Sequence, residues 1–299
     1  MATSTVSWNQ PGGSQPGRDE PKVVQPRPKF STGNSIGMAV AVIILAVLVL
    51  SAIRNDNFQW DVVFKYFLSK SIVRGLLTTI ELTALSVAIG LSLGTVIAVM
   101  RLSKNPVLTY IASAYVWFFR GTPLLVQLIF WFNLSALYSR LSITIPFGPD
   151  LVSVNTNAVI SPFIAAMLGL GLHAAGYMAE VVRGGILGVD QTQVEAACAL
   201  GMSRGTRFRK VVWPQALRLI IPPAGNRVIS ELKDTSLVSV IAIPDVLYSA
   251  QIVYSRTYET IPLLIVATLW YLIVVSLLSI GQRVAEKRVG RSVKQSAMA

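Results

Sequence analysis

The chain has 299 residues, of which 53% are hydrophobic and only 13% are charged. A soluble domain carries about 25% charged residues, so the composition excludes an ordinary cytosolic enzyme and indicates a protein of the lipid bilayer. The charge is basic, with 26 Lys and Arg against 14 Asp and Glu, which is typical of nucleic-acid binding, an anionic membrane surface or membrane topology. One cysteine (Cys198) excludes a disulfide framework, and one histidine (His173) excludes a His-rich metal centre.

The N-terminal region divides into a polar and an apolar part. Residues 1–34 are rich in proline and glycine and bury too little apolar area to offset chain entropy, which predicts a disordered tail. Residues 35–54 are almost wholly apolar and are predicted to form a transmembrane helix. A cleaved secretory signal is the alternative, but the long polar segment before it argues against one. Residues 56–74 carry apolar side chains at helical spacing among charges, which favours a helix in the membrane interface.

The rest of the chain contains five more apolar stretches. Residues 107–138 would form a helix of about 48 Å, too long for one straight crossing, so we predict an interfacial helix at 107–119 and a span at 121–138, divided at Arg120–Pro123. A polar loop covers 139–157, and 180–218 is the one sizeable hydrophilic insert. The sequence therefore predicts an all-α, polytopic membrane protein with six transmembrane helices, 36–53, 76–100, 121–138, 157–178, 219–243 and 261–281.

Basic residues predict the orientation, because cytoplasmic loops carry an excess of Lys and Arg. Eighteen of the 26 basic residues lie in the N-terminal tail, the 101–106 loop, Arg120, the 183–218 segment and the C-terminal tail. Six lie in the segments that would face the other side. Both termini, including a basic tail at 286–299, and the 180–218 insert should therefore be cytoplasmic.

The hydrophilic insert has the pattern of two short helices around a glycine turn. Asp190 is placed to cap a helix that ends at Gly201, and Ser203 can cap a second helix, which Pro214 would bend or break. Small side chains and glycine permit close backbone approach, as a helix that docks into a partner's groove requires. A solvated connector is one alternative. A DNA-binding helix-turn-helix is the other, but tethering to two membrane spans would keep it from following a major groove.

Several residues of the insert resemble a known family. Glu195-Ala196-Ala197, then Gly201, then Val211-Val212-Trp213-Pro214 is similar to the EAA loop of ABC importer permeases, with Val211 and Trp213 in place of the family's Ile and Leu. Further segments resemble the polar amino acid subfamily, the histidine/glutamine permease type. They are Arg120–Gln127 (RGTPLLVQ), Tyr177–Gly184 (YMAEVVRG), Lys233–Leu237 (KDTSL), Pro214-Gln215-Ala216 and Pro222-Pro223. The resemblance covers residues 72–285, which leaves the tail and the first span outside it.

The resemblance implies a type I ABC importer permease fold with a cytoplasmic coupling loop. It implies two ABC ATPase subunits as partners, an extracytoplasmic amino-acid-binding protein and a second permease subunit, either a copy of this chain or a homologue. It places this chain in the cytoplasmic membrane. The residues that it assigns to ATPase coupling are Glu195, Ala196, Ala197, Gly201 and Pro214. Independently, the chain lacks a Gly-x4-Gly-Lys-Ser/Thr phosphate loop, so ATP hydrolysis requires a separate subunit. No cofactor, metal, catalytic residue or nucleic-acid partner is predicted.

A charged side chain at the bilayer centre raises the free energy of membrane insertion by about 2.5–3.5 kcal/mol. Charged residues inside the spans must therefore pair, reach the interface or line a wet cavity, and they are candidate substrate contacts. Arg227 and Glu231 are four residues apart and can pair. These two residues together with Lys233 and Asp234 form either an internal ion-pair cluster or part of the substrate path. In the second case, Lys233 and Asp234 would bind the carboxylate and the ammonium group of an amino acid. Candidates for the path are Lys233, Asp234, Thr235, Ser236, Glu81 and Gln127.

Three other charged residues are predicted to brace the insert rather than to bind substrate. Glu180 and Arg183 are three residues apart at its membrane end and can form an ion pair, and Arg120 joins this set.

Two further residues have a structural expectation. Unless it contacts substrate, Glu81 is expected to be a partnered or protonated carboxylate that faces the helix bundle. His173 is expected to be a buried histidine without a functional role.

Two other classes of function remain open from the sequence. A secondary transporter or channel would use the insert only as a connector, would be driven by ions or protons and would have no ATPase partner. A membrane-embedded enzyme lacks support, because no paired carboxylates, metal ligands or nucleophile–base set occurs in the sequence.

Overall fold

The computed structural model describes residues 32–144 and 150–296, and the described chain is mainly helical. Two β-strands form one antiparallel hairpin in which Arg140 pairs with Asn155. The elements in chain order are α1 (Thr32–Arg54), α2 (Trp60–Phe67), α3 (Lys70–Arg101), α4 (Pro106–Gly121), α5 (Leu124–Phe132), α6 (Leu134–Leu137), β1 (Arg140–Thr144), β2 (Asp150–Asn155), α7 (Thr156–Val159), α8 (Pro162–Leu187), α9 (Gln191–Ala199), α10 (Arg204–Arg207), α11 (Trp213–Asp234), α12 (Val246–Thr257) and α13 (Thr260–Ser296).

The chain divides into two compact units, 1–55 and 56–299. In the first unit, α1 is long and apolar enough to cross a membrane, and none of its residues from Ile36 to Arg54 is buried in the described chain. It begins at Thr32, and residues 1–31 of the predicted tail lie outside the described residues.

In the second unit, the packing of α3 against α8 is the most extensive contact between two helices. Glycines and alanines let the two backbones approach closely, as is common between membrane helices. A Cβ atom added at Gly94 would lie 2.8 Å from the Met178 Cβ and 2.9 Å from the Ala175 carbonyl oxygen. α3 and α8 therefore form the rigid centre from which the charged residues project.

Replacing Gly94 with alanine should destabilise this centre by about 1–3 kcal/mol, because the new methyl group meets backbone that cannot move aside. Gly281→Ala in α13 is the matched control, since its Cβ would meet nothing within 4 Å. Thermal unfolding of the purified protein in detergent measures both variants. Equal stability of the two would contradict this packing.

The structure confirms an all-α, polytopic membrane protein and corrects some of the predicted spans. Among the described residues four helices are long and apolar enough to cross a membrane, or up to six if each of two bent pairs is one span. The first bent pair is α4 and α5, whose axes differ by 100°. The predicted single helix at 121–138 is wrong, because α5 ends at Phe132 and its nine residues cover only about 14 Å.

Several boundaries also differ from those predicted. The interfacial helix expected at 56–74 divides, because α2 ends at Phe67 and α3 begins at Lys70. The polar loop at 139–157 contains the hairpin, apart from residues 145–149, which lie outside the described residues. α8 continues to Leu187, so the hydrophilic insert starts later than residue 180. α13 has 37 residues and is about 55 Å long, so it extends well beyond one crossing.

Candidate functional site

The insert between α8 and α11 forms a short helix with well-defined ends. Asp190 caps α9, and its side chain accepts a hydrogen bond of 2.9 Å from the Thr192 amide. Hydrogen bonds from Thr192 lower the pKa of the Asp190 carboxyl below its usual range, so the charged cap is present at neutral pH. Gly201 has a left-handed backbone, with φ of 72°. These ends confirm the predicted first helix.

The end of α9 is a Schellman motif, which requires the left-handed residue. The Gly201 amide donates to the Cys198 carbonyl at 2.9 Å, and the Met202 amide donates to the Ala197 carbonyl at 3.1 Å. Two of the carbonyls that lack an intrahelical partner at the end of the helix are therefore satisfied. The turn fixes the direction in which the chain leaves α9.

The second half of the insert runs into the membrane without a break. Ser203 caps α10, and its Oγ accepts from the Thr206 amide at 3.4 Å. A π-helical turn then covers Phe208–Val212 and leads into α11. Pro214 follows this turn as the second residue of α11, and the helix continues through it. The predicted bend or break at Pro214 is therefore wrong.

The residues predicted to couple the insert to an ATPase lie mostly on its surface. Glu195, Ala196, Gly201 and Pro214 are exposed, whereas Ala197 is buried against the rest of the chain. The side chain of Gln215 on α11 donates to the Gln193 side chain on α9 at 2.6 Å, which ties the short helix to the membrane helix.

Sequence reasoning missed one exposed apolar residue of the insert. Leu200 is 82% exposed, directly before the glycine turn. The sequence did carry a signal for this exposure, because Leu200 directly precedes the glycine that ends a short helix in a hydrophilic segment. A small-residue surface next to an exposed leucine is what a helix that enters a groove presents.

A cluster of arginines surrounds Glu180 on α8. Arg183 donates to its carboxylate at 2.9 Å, and Arg120 lies 3.4 Å from it, so the three residues predicted to act together do lie together. Arg101, at the end of α3, is a third partner of the same carboxylate. Sequence reasoning missed Arg101, because 79 residues separate it from Glu180.

A second charged cluster lies on α11. Arg227 donates to Glu231 at 2.6 Å and to Asp234 at 3.1 Å. The Glu231 side chain is fully buried, while the Asp234 side chain is 31% exposed. The pairing of Arg227 with Glu231 was predicted. Lys233 is exposed and does not join this cluster among the described residues.

Tyr177 on α8 connects the two clusters. The Arg120 guanidinium carbon lies 5.0 Å from the centre of its ring, and that of Arg227 lies 4.5 Å away. Both distances are within the range of cation–π attraction. The neighbouring His173 is buried and donates from Nδ1 to the Phe119 carbonyl at 2.9 Å, as expected for a structural histidine.

The remaining path candidates do not form one site: Thr235 and Ser236 directly follow Asp234, whereas Gln127 lies on α5 and Glu81 on α3. Thr235 is fully buried, and Ser236 bonds the Lys233 carbonyl at 2.7 Å. Gln127 is buried at the bend between α4 and α5, where its amide donates to the Phe119 and Thr122 carbonyls at 3.1 Å. Glu81 is exposed on α3. The expectation that Glu81 faces the helix bundle is wrong, because it lies on the side of α3 opposite the buried residues.

The family sequence profile described as "Binding-protein-dependent transport system inner membrane component" matches residues 90–291. The chain is 44% identical to the arginine transport system permease protein ArgU of Corynebacterium glutamicum, over 90% of this chain and 84% of that one. It is 35% identical to the L-cystine transport system permease protein TcyB of Bacillus subtilis, over 78% and 92% of the two chains.

Solved structures show the same fold. A chain from the crystal structure of an amino acid ABC transporter with histidines is 35% identical, with a TM-score of 0.63, and the match covers 73% of this chain and 94% of that one. The methionine ABC transporter MetNI, at 20% identity and a TM-score of 0.54, shares the fold. The family consists of membrane permease subunits of ABC importers, and a separate subunit of these importers hydrolyses ATP. From these matches, this chain belongs to the family of binding-protein-dependent transport system inner membrane components.

Proposed function

We propose that this permease imports a polar amino acid, with arginine the first substrate to test. The names of its relatives support this proposal, since they transport arginine and L-cystine. Its partners are two ABC ATPases, an extracytoplasmic amino-acid-binding protein and a second permease subunit. Residues 72–285 form the transport unit, and α1 with the preceding tail is an addition to it. Both termini, including the basic tail from residue 286, face the cytoplasm, as the distribution of Lys and Arg supports.

The observation that carries the coupling role is the surface of α9. Glu195 and Ala196 are exposed on a helix whose two ends are both capped, beside the exposed Leu200. A docking helix transmits force only if it holds its shape, and the caps and the Gln215–Gln193 hydrogen bond provide that rigidity. Closure of the ATPases would then move α9 and, through the unbroken path of α10 and α11, the charged cluster on α11.

Replacing Ala196 with arginine should abolish co-purification of the ATPase, because the long side chain occupies the surface that has to enter the groove. Ala196 is exposed, so the fold should be unaffected. Gly205→Ala is the control, since a Cβ there meets nothing within 4 Å. The experiment is pull-down of the co-expressed cognate ATPase. A wild-type chain that retains no ATPase would favour a secondary transporter or channel instead.

For the substrate path, we infer that Asp234 provides the partner for the substrate's ammonium group. Asp234 is the partly exposed end of the α11 cluster, and its bond to Arg227 at 3.1 Å is the longer of the two. The carboxylate can therefore leave Arg227, while Glu231 keeps the arginine charge balanced. Lys233 remains a candidate partner for the substrate carboxylate from its exposed position.

Asp234→Asn should reduce uptake by at least tenfold while ATPase co-purification stays intact, because the variant removes a charge without changing the shape of the side chain. Uptake of radiolabelled arginine by proteoliposomes that contain the complete importer measures the effect. Normal transport kinetics in this variant would exclude Asp234 from the path.

A further inference from the structure

A cavity of about 400 Å³ opens beside the Glu180 cluster, between α4 and the ends of α3 and α8. Its lining includes Arg101, Ser113, Trp117, Arg120, Tyr177 and Glu180. The volume is sufficient for a small polar molecule. By the distribution of basic residues, Arg101 and Arg120 lie towards the cytoplasmic side of the membrane.

The charges around this cavity do not balance. Among the described residues, Arg101, Arg120 and Arg183 share one carboxylate, that of Glu180. The Arg227 charge is already compensated by Glu231 and Asp234. The cavity therefore holds an excess of positive charge next to the Ser113 side chain. An arginine pair with surplus charge beside an open cavity favours a small oxyanion, which guanidinium groups bind through paired N–H donors.

Of the three arginines, Arg120 can leave Glu180 most easily. At 3.4 Å its contact with Glu180 is longer than the 2.9 Å contact made by Arg183. Its side chain is 40% exposed, compared with 20% for Arg101. If Arg120 turned to an incoming anion, Glu180 would still have Arg101 and Arg183 as partners. The ring of Tyr177 would support the guanidinium plane during this exchange.

We propose that this cavity binds the carboxylate of the transported amino acid on its way to the cytoplasm, with Arg120 as the principal ligand. This inference rests on the proposed function and adds a second subsite to it. Tyr177 lies between this cavity and the α11 cluster, because Arg120 and Arg227 both lie over its ring. A solute that leaves Asp234 would therefore reach the cavity across one aromatic side chain. The phosphate of an anionic lipid shares this chemistry, and the experiment distinguishes the two sources.

The test measures binding to the permease–ATPase complex in vesicles without the binding protein. The probe is radiolabelled L-arginine, competed by unlabelled L-arginine or by agmatine, which is arginine without its carboxylate. In the wild type, agmatine should compete at least tenfold more weakly. Arg120→Gln should weaken L-arginine binding about tenfold, as loss of one charged hydrogen bond does, and leave agmatine unchanged. Lys104→Gln removes a cation from the adjacent exposed loop and should change neither affinity.

Equal competition by arginine and agmatine in the wild type would overturn the proposal, as would unchanged discrimination in Arg120→Gln. The same assay in phosphatidylglycerol and in phosphatidylcholine vesicles addresses the lipid. If Arg120→Gln abolishes a phosphatidylglycerol requirement but leaves the arginine affinity intact, the cavity binds lipid and the proposal fails. A wild-type importer that transports no amino acid would contradict the proposed function itself. Active uptake with unchanged discrimination would contradict this subsite alone.

Discussion

Replacing Gly201 with valine is expected to abolish ATP-driven uptake while the permease still inserts and folds. The backbone at this position is left-handed, with φ of 72°, which costs a non-glycine residue about 1–2 kcal/mol and a β-branched residue more. The Schellman motif would open, α9 would lose its fixed end, and the docking surface would no longer be rigid. ATP hydrolysis and uptake, measured together in proteoliposomes, should become uncoupled.

A further variant separates the effect of the backbone from that of the surface. A Cβ at Gly201 meets nothing within 4 Å of the chain itself, so any steric effect must come from a partner. Gly201→Asn tolerates the left-handed backbone but adds a side chain to the surface. If asparagine restores coupling, the backbone is decisive. Full coupling in the valine variant would refute a rigid docking helix.

The second large effect concerns stability. Arg227→Met should destabilise the protein by about 3–5 kcal/mol, because it leaves the fully buried Glu231 without its partner. One oxygen of Glu231, Oε1, already has no hydrogen-bond partner among the described residues. The loss of Arg227 would therefore leave this buried carboxylate without the ion-pair partner that the described residues provide. Thermal unfolding in detergent, followed by size-exclusion chromatography, measures the loss.

The double variant Arg227→Met with Glu231→Leu provides the control for this prediction. It replaces the buried pair with apolar groups, and such replacements are often neutral, so it should recover most of the lost stability. Recovery of stability without recovery of transport would separate the structural role of the pair from its role in the path. Equal instability of the single and double variants would contradict a buried ion pair.

Local structure in the insert was predictable because it depends on neighbouring residues. Asp190, Gly201 and Ser203 act on amides and carbonyls within a few positions of themselves, so the sequence alone indicates the caps. The predicted bend or break at Pro214 was wrong, because a π-helical turn before it lets the helix continue. Such a turn has no clear local pattern.

Long-range features were not predictable from the sequence. The bend between α4 and α5 is held by Gln127 through the Phe119 and Thr122 carbonyls, which a count of apolar residues does not reveal. The pairing of Arg101 with Glu180 depends on how α3 packs on α8. Glu81 was expected to face inward, but periodicity along an almost uniformly apolar helix does not say which side is buried.

The coupling role of the insert is tested most directly by measuring which energy source drives uptake. Proteoliposomes that contain this permease, its ATPase and excess binding protein would be supplied either with ATP on the ATPase side or with a proton gradient alone, and uptake of radiolabelled L-arginine would be measured. We expect uptake only with ATP, and none when the Ala196→Arg permease replaces the wild type. Uptake driven by the proton gradient without ATP would contradict the coupling role of the insert.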